Sequence, residues 1–272
     1  MPQLELADGF RLYYEVHGKG PAVLLAHGAG GNAMVWWQQV PVFARGYTVI
    51  SFDHRAFGRS PDVAGGPGRA AFGADALSLL DHLGVERAHV VAHSMGGRTA
   101  GGLLRRAPQR VASFTFSGTN GGAVDERARE RRAELERDGF FAGSLLRRAL
   151  ADEFYQRSPE QAFLYRQMRA LNPPRPRDFL APSALALTTR GSQAEVLRAS
   201  GLPILWIVGE HDRVVAPELI RVSHELTPGS RFHVVPGAGH SAYFERAEAW
   251  NAAVLTFIDA VEAGTLPPAR SD

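Results

Sequence analysis

The 272-residue chain predicts an α/β fold: a mostly parallel sheet flanked by helices on both faces, with a helical insertion. Three observations point there. Runs at 22–26, 47–52, 89–93, 111–116, 204–208 and 231–235 read as strands, those at 22–26, 47–52 and 204–208 as buried ones, and helical patterns separate most of them. The run Val90, Val91, Ala92, His93 breaks on Ser94 and continues as Met95, Gly96, Gly97, which reads as a strand, a sharp turn and the start of a helix. Between 121 and 200 the strand pattern stops and only helical patterns remain.

Taken in order, residues 10–16 (FRLYYEV) form an early strand by their aromatic and β-branched content, and 18–21 turn the chain into the buried strand 22–26. The loop His27, Gly28, Ala29, Gly30, Gly31, Asn32 follows. It lacks the lysine of a phosphate-binding loop and the glycine spacing of a dinucleotide site, so its backbone amides suit an oxyanion better than a nucleotide. A helix is expected over 33–43, then the strand 47–52 and the loop 53–60, where Asp53 reads as a structural tie. Residues 61–68 form a Pro/Gly-rich surface loop and 70–83 an amphipathic helix. After the serine turn a helix runs from 95 to about 107, stopped by Pro108, and 111–116 is a strand.

The insertion carries helical patterns at 125–138, 140–154 and 161–171, a break at 172–176, and a more apolar stretch at 179–187. The acids and arginines of 125–138 read as a solvated helix face. Phe140, Phe141, Leu145, Phe154, Phe163 and Met168 are apolar enough to pack on the sheet or line a pocket. The α/β rhythm resumes with the strand 204–208, Gly209 to Asp212, a helix at 217–226, the strand 231–235, the loop Pro236 to His240, a helix to about 261, and a loose tail at 264–272. The expected division is a core of 1–120 and 201–272 with a helical cap, or lid, at 121–200.

Composition narrows the function classes. Hydrophobic residues make up 45% and charged residues 21%, which suits a globular protein with a sizeable core. There is no cysteine, which excludes disulfides, thiolate catalysis and cysteine-ligated metals. The net charge is only +2, with Lys19 the single lysine and acids interspersed among the arginines, which argues against a nucleic-acid partner. Residues 1–9 lack a signal pattern and no apolar run reaches spanning length, so the expectation is a cytoplasmic protein with no membrane partner.

The serine turn supplies a candidate nucleophile. A turn this sharp requires small residues two before and two after the serine, and Ala92 and Gly96 stand there. A serine hydroxyl needs a base, and histidine suits because its pKa lies near neutrality. Of ten histidines, His240 is the one in a glycine-rich loop after a late strand. An acid must hold that base in the right tautomer, and Asp212, ending the preceding strand, is preferred over Glu210. The amides of Met95 and Ala29, with Gly30 as a substitute, are the candidate oxyanion donors. No metal-binding set is visible, and this chemistry needs no cofactor.

With these motifs in place, the chain resembles the α/β-hydrolase superfamily. The resemblance rests on His27-Gly28, 53–60, 92–97, 209–212 and Gly239-His240 in family order. It implies an α/β-hydrolase fold with an eight-stranded, mostly parallel sheet, a helical cap after the sixth strand, and a triad of Ser94, Asp212 and His240. Departures are Ala92 and Ala56, where glycine is usual.

The function expected is a serine hydrolase that cleaves a small carboxylic ester or lactone, its small-molecule partner, through an acyl-enzyme. An aspartate in place of Ser94 would suggest dehalogenases or epoxide hydrolases. Carbon-carbon bond hydrolases usually carry tryptophan where Ser241 stands, and cofactor-free perhydrolases proline where Gly239 stands; both are alternatives on the same triad. A small-molecule receptor or a lyase on the same fold is the alternative of another class.

Overall fold

The computed structural model describes residues 2–175, 179 and 193–266. Eight strands form one sheet: β1 (Gln3–Glu5), β2 (Arg11–His17), β3 (Ala22–Ala26), β4 (Thr48–Phe52), β5 (Ala88–His93), β6 (Val111–Ser117), β7 (Ile204–Gly209) and β8 (Arg231–Val235). Their spatial order is β1-β2-β4-β3-β5-β6-β7-β8. β2 is antiparallel to both β1 and β4, and every other neighbouring pair is parallel. β3 to β7 are largely apolar because both faces are covered, whereas β8, at the sheet's edge, carries Arg231 and His233 and is only partly buried. Alternate side chains feed two cores: Leu24, Ile50, Val90, Phe114 and Trp206 on one face, Val23, Leu25, Val49, Val91 and Ile207 on the other.

Helices α1 (Val40–Phe43), α2 (Phe72–His82) and α3 (Gly97–Arg106) lie between the first six strands. The helix expected over 33–43 is broken: a 3-10 turn spans Ala33–Trp36 and α1 begins only at Val40. Asn32 caps the 3-10 turn by accepting from the Met34 amide at 3.1 Å, and Asp53 takes the Ala33 amide at 2.6 Å. Asp53 also accepts from the Arg59 amide at 2.7 Å while fully buried, so it ties two loops together. β1, in the stretch 1–9, had no strand expectation; it pairs only with β2 at the sheet's edge.

After β6 come α4 (Glu126–Arg137), α5 (Leu145–Arg148), α6 (Asp152–Arg157), α7 (Pro159–Ala170) and α8 (Gln193–Ser200). The single helix expected over 140–154 is replaced by α5 and α6. The backbone between them is committed elsewhere: the Ala149 carbonyl accepts from the Ser241 amide at 3.0 Å, and the Ala151 amide donates to Glu245 at 2.8 Å. α4 is solvated, as its charge pattern implies, and is ion-paired through Arg131 to Glu218 of α9 (Pro217–Glu225) at 2.9 Å. α8, at the end of the expected cap, packs on α3, and its Ala194 and Leu197 join the core of one sheet face. The apolar stretch 180–187 lies outside the described residues, as does the tail 267–272. The chain closes with α10 (Ala242–Glu245) and α11 (Ala247–Glu262). No helix among the described residues is long and apolar enough to cross a membrane.

Candidate active site

In a parallel sheet, loops beyond the carboxyl ends of the strands share one edge, and side chains distant in sequence meet there. β3, β5, β7 and β8 deliver the loops at Gly28, Ser94, Asp212 and His240 to that edge.

Ser94 leaves β5 with φ +50°, a left-handed conformation that costs a side-chain-bearing residue roughly 1–2 kcal/mol. The turn is held by close packing. A Cβ on Gly96 would lie 2.9 Å from the carbonyl carbon of Ala26 and closer still to its oxygen, both backbone atoms that cannot give way. Ala92 is fully buried in β5 and its single methyl is accommodated. The other departure from the usual glycine, Ala56, sits at φ +65°, so that loop does adopt the geometry for which glycine is the ordinary choice.

The Ser94 hydroxyl donates to His240 Nε2 at 2.9 Å, and His240 Nδ1 donates to Asp212 Oδ2 at 2.8 Å. His240 is 4% exposed and Asp212 0%. Asp212 is itself oriented, because its Oδ1 accepts from the amides of Val214 at 2.8 Å and Val215 at 2.9 Å. Glu210, the rival acid, is half exposed and accepts from the Gly237 amide instead. The Met95 amide lies in the first turn of the helix after Ser94, where N–H groups have no carbonyl partner within the helix. Ala29 lies beside Ser94 on the wall of the same cavity. The structure therefore brings together all five residues singled out from the sequence.

Leu145, one of the apolar residues expected to pack on the sheet or line a pocket, and several residues without a sequence-based assignment complete the site. A partly open pocket over Ser94 is lined in part by His93, Leu145, Tyr165, Arg169 and Tyr243. His93 is buried, which holds its pKa well below the ordinary histidine value, and its Nδ1 donates to the Ser117 carbonyl at 3.1 Å. It is a neutral wall against His240, with ring centroids 4.8 Å apart. His27 is likewise buried and depressed to about 4; its Nδ1 donates to the Gly28 carbonyl at 2.9 Å and its Nε2 accepts from the His54 amide at 3.0 Å, shaping the loop that carries Ala29.

Glu245 braces His240 from behind. Its two carboxylate oxygens accept from the Gly239 amide at 3.0 Å and the Ala151 amide at 2.8 Å, joining the His240 loop to the start of α6. Burial pushes its carboxyl up to about 7 against the opposing pull of those two amides, and the charge of Asp212 adds to the rise. Tyr165 and Arg169 share one face of α7 by their i, i+4 spacing, the only sequence signal that groups them. That the face turns toward Ser94 is set by packing. Among the described residues no cluster of potential metal ligands occurs.

A family model described as the alpha/beta hydrolase fold matches residues 21–247. A 2-hydroxy-6-oxononadienedioate/2-hydroxy-6-oxononatrienedioate hydrolase of Paraburkholderia phymatum is 30% identical over 269 residues, covering 94% of this chain and 93% of the relative. Among solved structures, a thermophilic esterase from Thermogutta terrifontis superposes with a TM-score of 0.77 at 26% identity, covering 96% of this chain and 98% of that one. Est816, described as an N-acyl homoserine lactone degrading enzyme, does so with a TM-score of 0.72 at 27% identity, covering 94% and 100%.

Proposed function

Because the chain belongs to the α/β-hydrolase family and is a hydrolase by that membership, we propose that it cleaves a small carboxylic ester or lactone through an acyl-enzyme on Ser94. The observation that supports this reading is the unbroken relay from Ser94 Oγ through His240 to Asp212, with hydrogen bonds of 2.9 and 2.8 Å.

As Ser94 Oγ attacks the carbonyl carbon, its proton passes to His240 Nε2. Asp212 holds Nδ1–H in place and stabilises the imidazolium, which then gives its proton to the departing alcohol oxygen. The amides of Ala29 and Met95 receive the negative charge that builds on the carbonyl oxygen, each such donor being worth roughly 10²–10³ in rate. Water, deprotonated by the same histidine, releases the acid and restores Ser94. Within the stretch 121–200, α5 and α7 act as the cap, contributing Leu145, Tyr165 and Arg169 to the space over the serine, while α8 belongs to the core.

The similarity to the esterase and to the lactone-degrading enzyme favours the ester or lactone. The Paraburkholderia phymatum relative keeps a carbon-carbon bond hydrolase as the second reading. Against it stands Ser241, buried and bonded to the Tyr165 hydroxyl at 2.8 Å where such enzymes usually carry tryptophan. A perhydrolase-like proline at position 239 would remove the amide that Glu245 accepts from.

Initial rates on p-nitrophenyl esters of increasing chain length and on several lactones, measured for wild type and Ser94→Ala, test the proposal. The variant is expected to lose about 10⁴-fold or more. Equal rates in the two proteins, or none in wild type, would remove the ester reading.

A further inference from the structure

Arg169 lines the space over Ser94 and is half-buried there. Its Nη1 donates to the Ala29 carbonyl at 3.0 Å and reaches the Tyr165 hydroxyl at 3.5 Å. That hydroxyl is in turn bonded to Ser241, next to His240 in the chain. Gly30, at φ +81°, supplies the notch: a Cβ there would collide with the guanidinium, 2.5 Å from Nη1 and closer to the carbon. The group is thus held in one place by a carbonyl, a phenol and a gap in the loop that carries Ala29.

Among the described residues its charge is met by no carboxylate, only by the face of the Tyr165 ring, whose centroid lies 5.5 Å from the guanidinium carbon. Among the described residues no carboxylate lies within ion-pair distance of Arg169, whereas the buried Arg55 is paired with Asp75 at 2.7 Å and Arg59 with Asp53 at 3.1 Å. His93 on the cavity wall is neutral, Arg175 is a second cation near enough to feel the charge of Arg169, and Asp212 and Glu245 spend their oxygens on His240 and on backbone amides. A guanidinium presents its donors as a rigid planar fork, and among the described residues Arg169 engages protein acceptors through Nη1 alone. Nε and Nη2 remain to grip a planar anion in bidentate fashion.

We propose that Arg169 makes this site selective for substrates carrying a free carboxylate a few bonds from the scissile carbonyl, so that the natural ester or lactone is a half-ester or lactone of a dicarboxylic acid. This rests on the ester or lactone reading above. It assigns to α7 the choice of substrate, and to Ala29 a double part, its amide facing the oxyanion and its carbonyl holding the selecting cation.

The test compares p-nitrophenyl butyrate with the mono-p-nitrophenyl ester of glutaric acid, acyl groups of similar length that differ by a terminal carboxylate. In Arg169→Gln the ratio of kcat/KM for the glutarate ester over the butyrate ester is expected to fall at least tenfold, chiefly through KM, and Arg169→Lys should recover part of it. A ratio within twofold of wild type would overturn the proposal. Calorimetric binding of glutarate to Ser94→Ala, with and without Arg169→Gln, separates this inference from the hydrolase reading. Binding weakened at least tenfold by the arginine change supports the anion site whether or not either ester turns over. Binding equal in the two proteins removes it.

Discussion

Replacing Asp212 by asparagine tests the proposed relay with the least disturbance to the fold. The carboxylate has two distinct sides: Oδ1 accepts from the amides of Val214 and Val215, and Oδ2 accepts from His240 Nδ1. An asparagine can keep only one side as an oxygen. Turning its amide nitrogen toward the two partly buried backbone N–H groups would leave both donors facing a donor, at about 1 kcal/mol or more each. The nitrogen therefore faces His240. There it donates to Nδ1, which forces the imidazole proton onto Nε2, and Nε2 can then no longer accept the Ser94 proton. The expected loss in kcat at neutral pH is about 10⁴-fold, equivalent to roughly 5 kcal/mol of barrier. Steady-state rates on an activated ester at pH 7 measure the loss, and a thermal melt close to that of wild type shows that the geometry survives. A variant that retains more than a tenth of wild-type kcat would refute the assignment of Asp212 and the proton path built on it.

Two further outcomes follow from groups around the site. Glu245 is pushed up to about 7 from an ordinary 4.5, so between those values the folded protein holds a proton that the unfolded chain has released, and stability falls as pH rises through the window by up to roughly 3 kcal/mol. His27, depressed to about 4, acts in the opposite direction between about 4 and 6.5, so the difference in melting temperature between wild type and Glu245→Gln from pH 4.5 to 8 isolates the carboxyl. Parallel curves for the two proteins would show that Glu245 is not titrating there. Ala56, at φ +65°, is strained by its methyl, and Ala56→Gly should raise the midpoint of urea unfolding, by the equivalent of up to about 1 kcal/mol less what glycine adds to the freedom of the unfolded chain. A lowered midpoint would mean that the methyl's packing outweighs the strain.

Much of this protein was legible in its sequence because the relevant physics is local. Strands buried on both faces must be largely apolar, so β3 to β7 announce themselves, and a turn as sharp as that at Ser94 tolerates only small flanking residues. The candidate site residues could be named for a related reason: in a parallel sheet any loop after a strand reaches the same edge, so strand ends, narrowed by the small residues around Ser94 and the glycine-rich loop before His240, nominate Ala29, Ser94, Asp212 and His240. What only the tertiary structure decided depends on partners far along the chain. The break between α5 and α6 exists because Ser241 and Glu245 claim the backbone of Ala149 and Ala151, and β1 is a strand only because β2 is beside it. The turning of Tyr165 and Arg169 toward Ser94 belongs to the same class. Helical periodicity fixes which residues share a face but not where the face points, and that direction comes from the loops of 28–32 and 239–245 against which α7 and its neighbours pack.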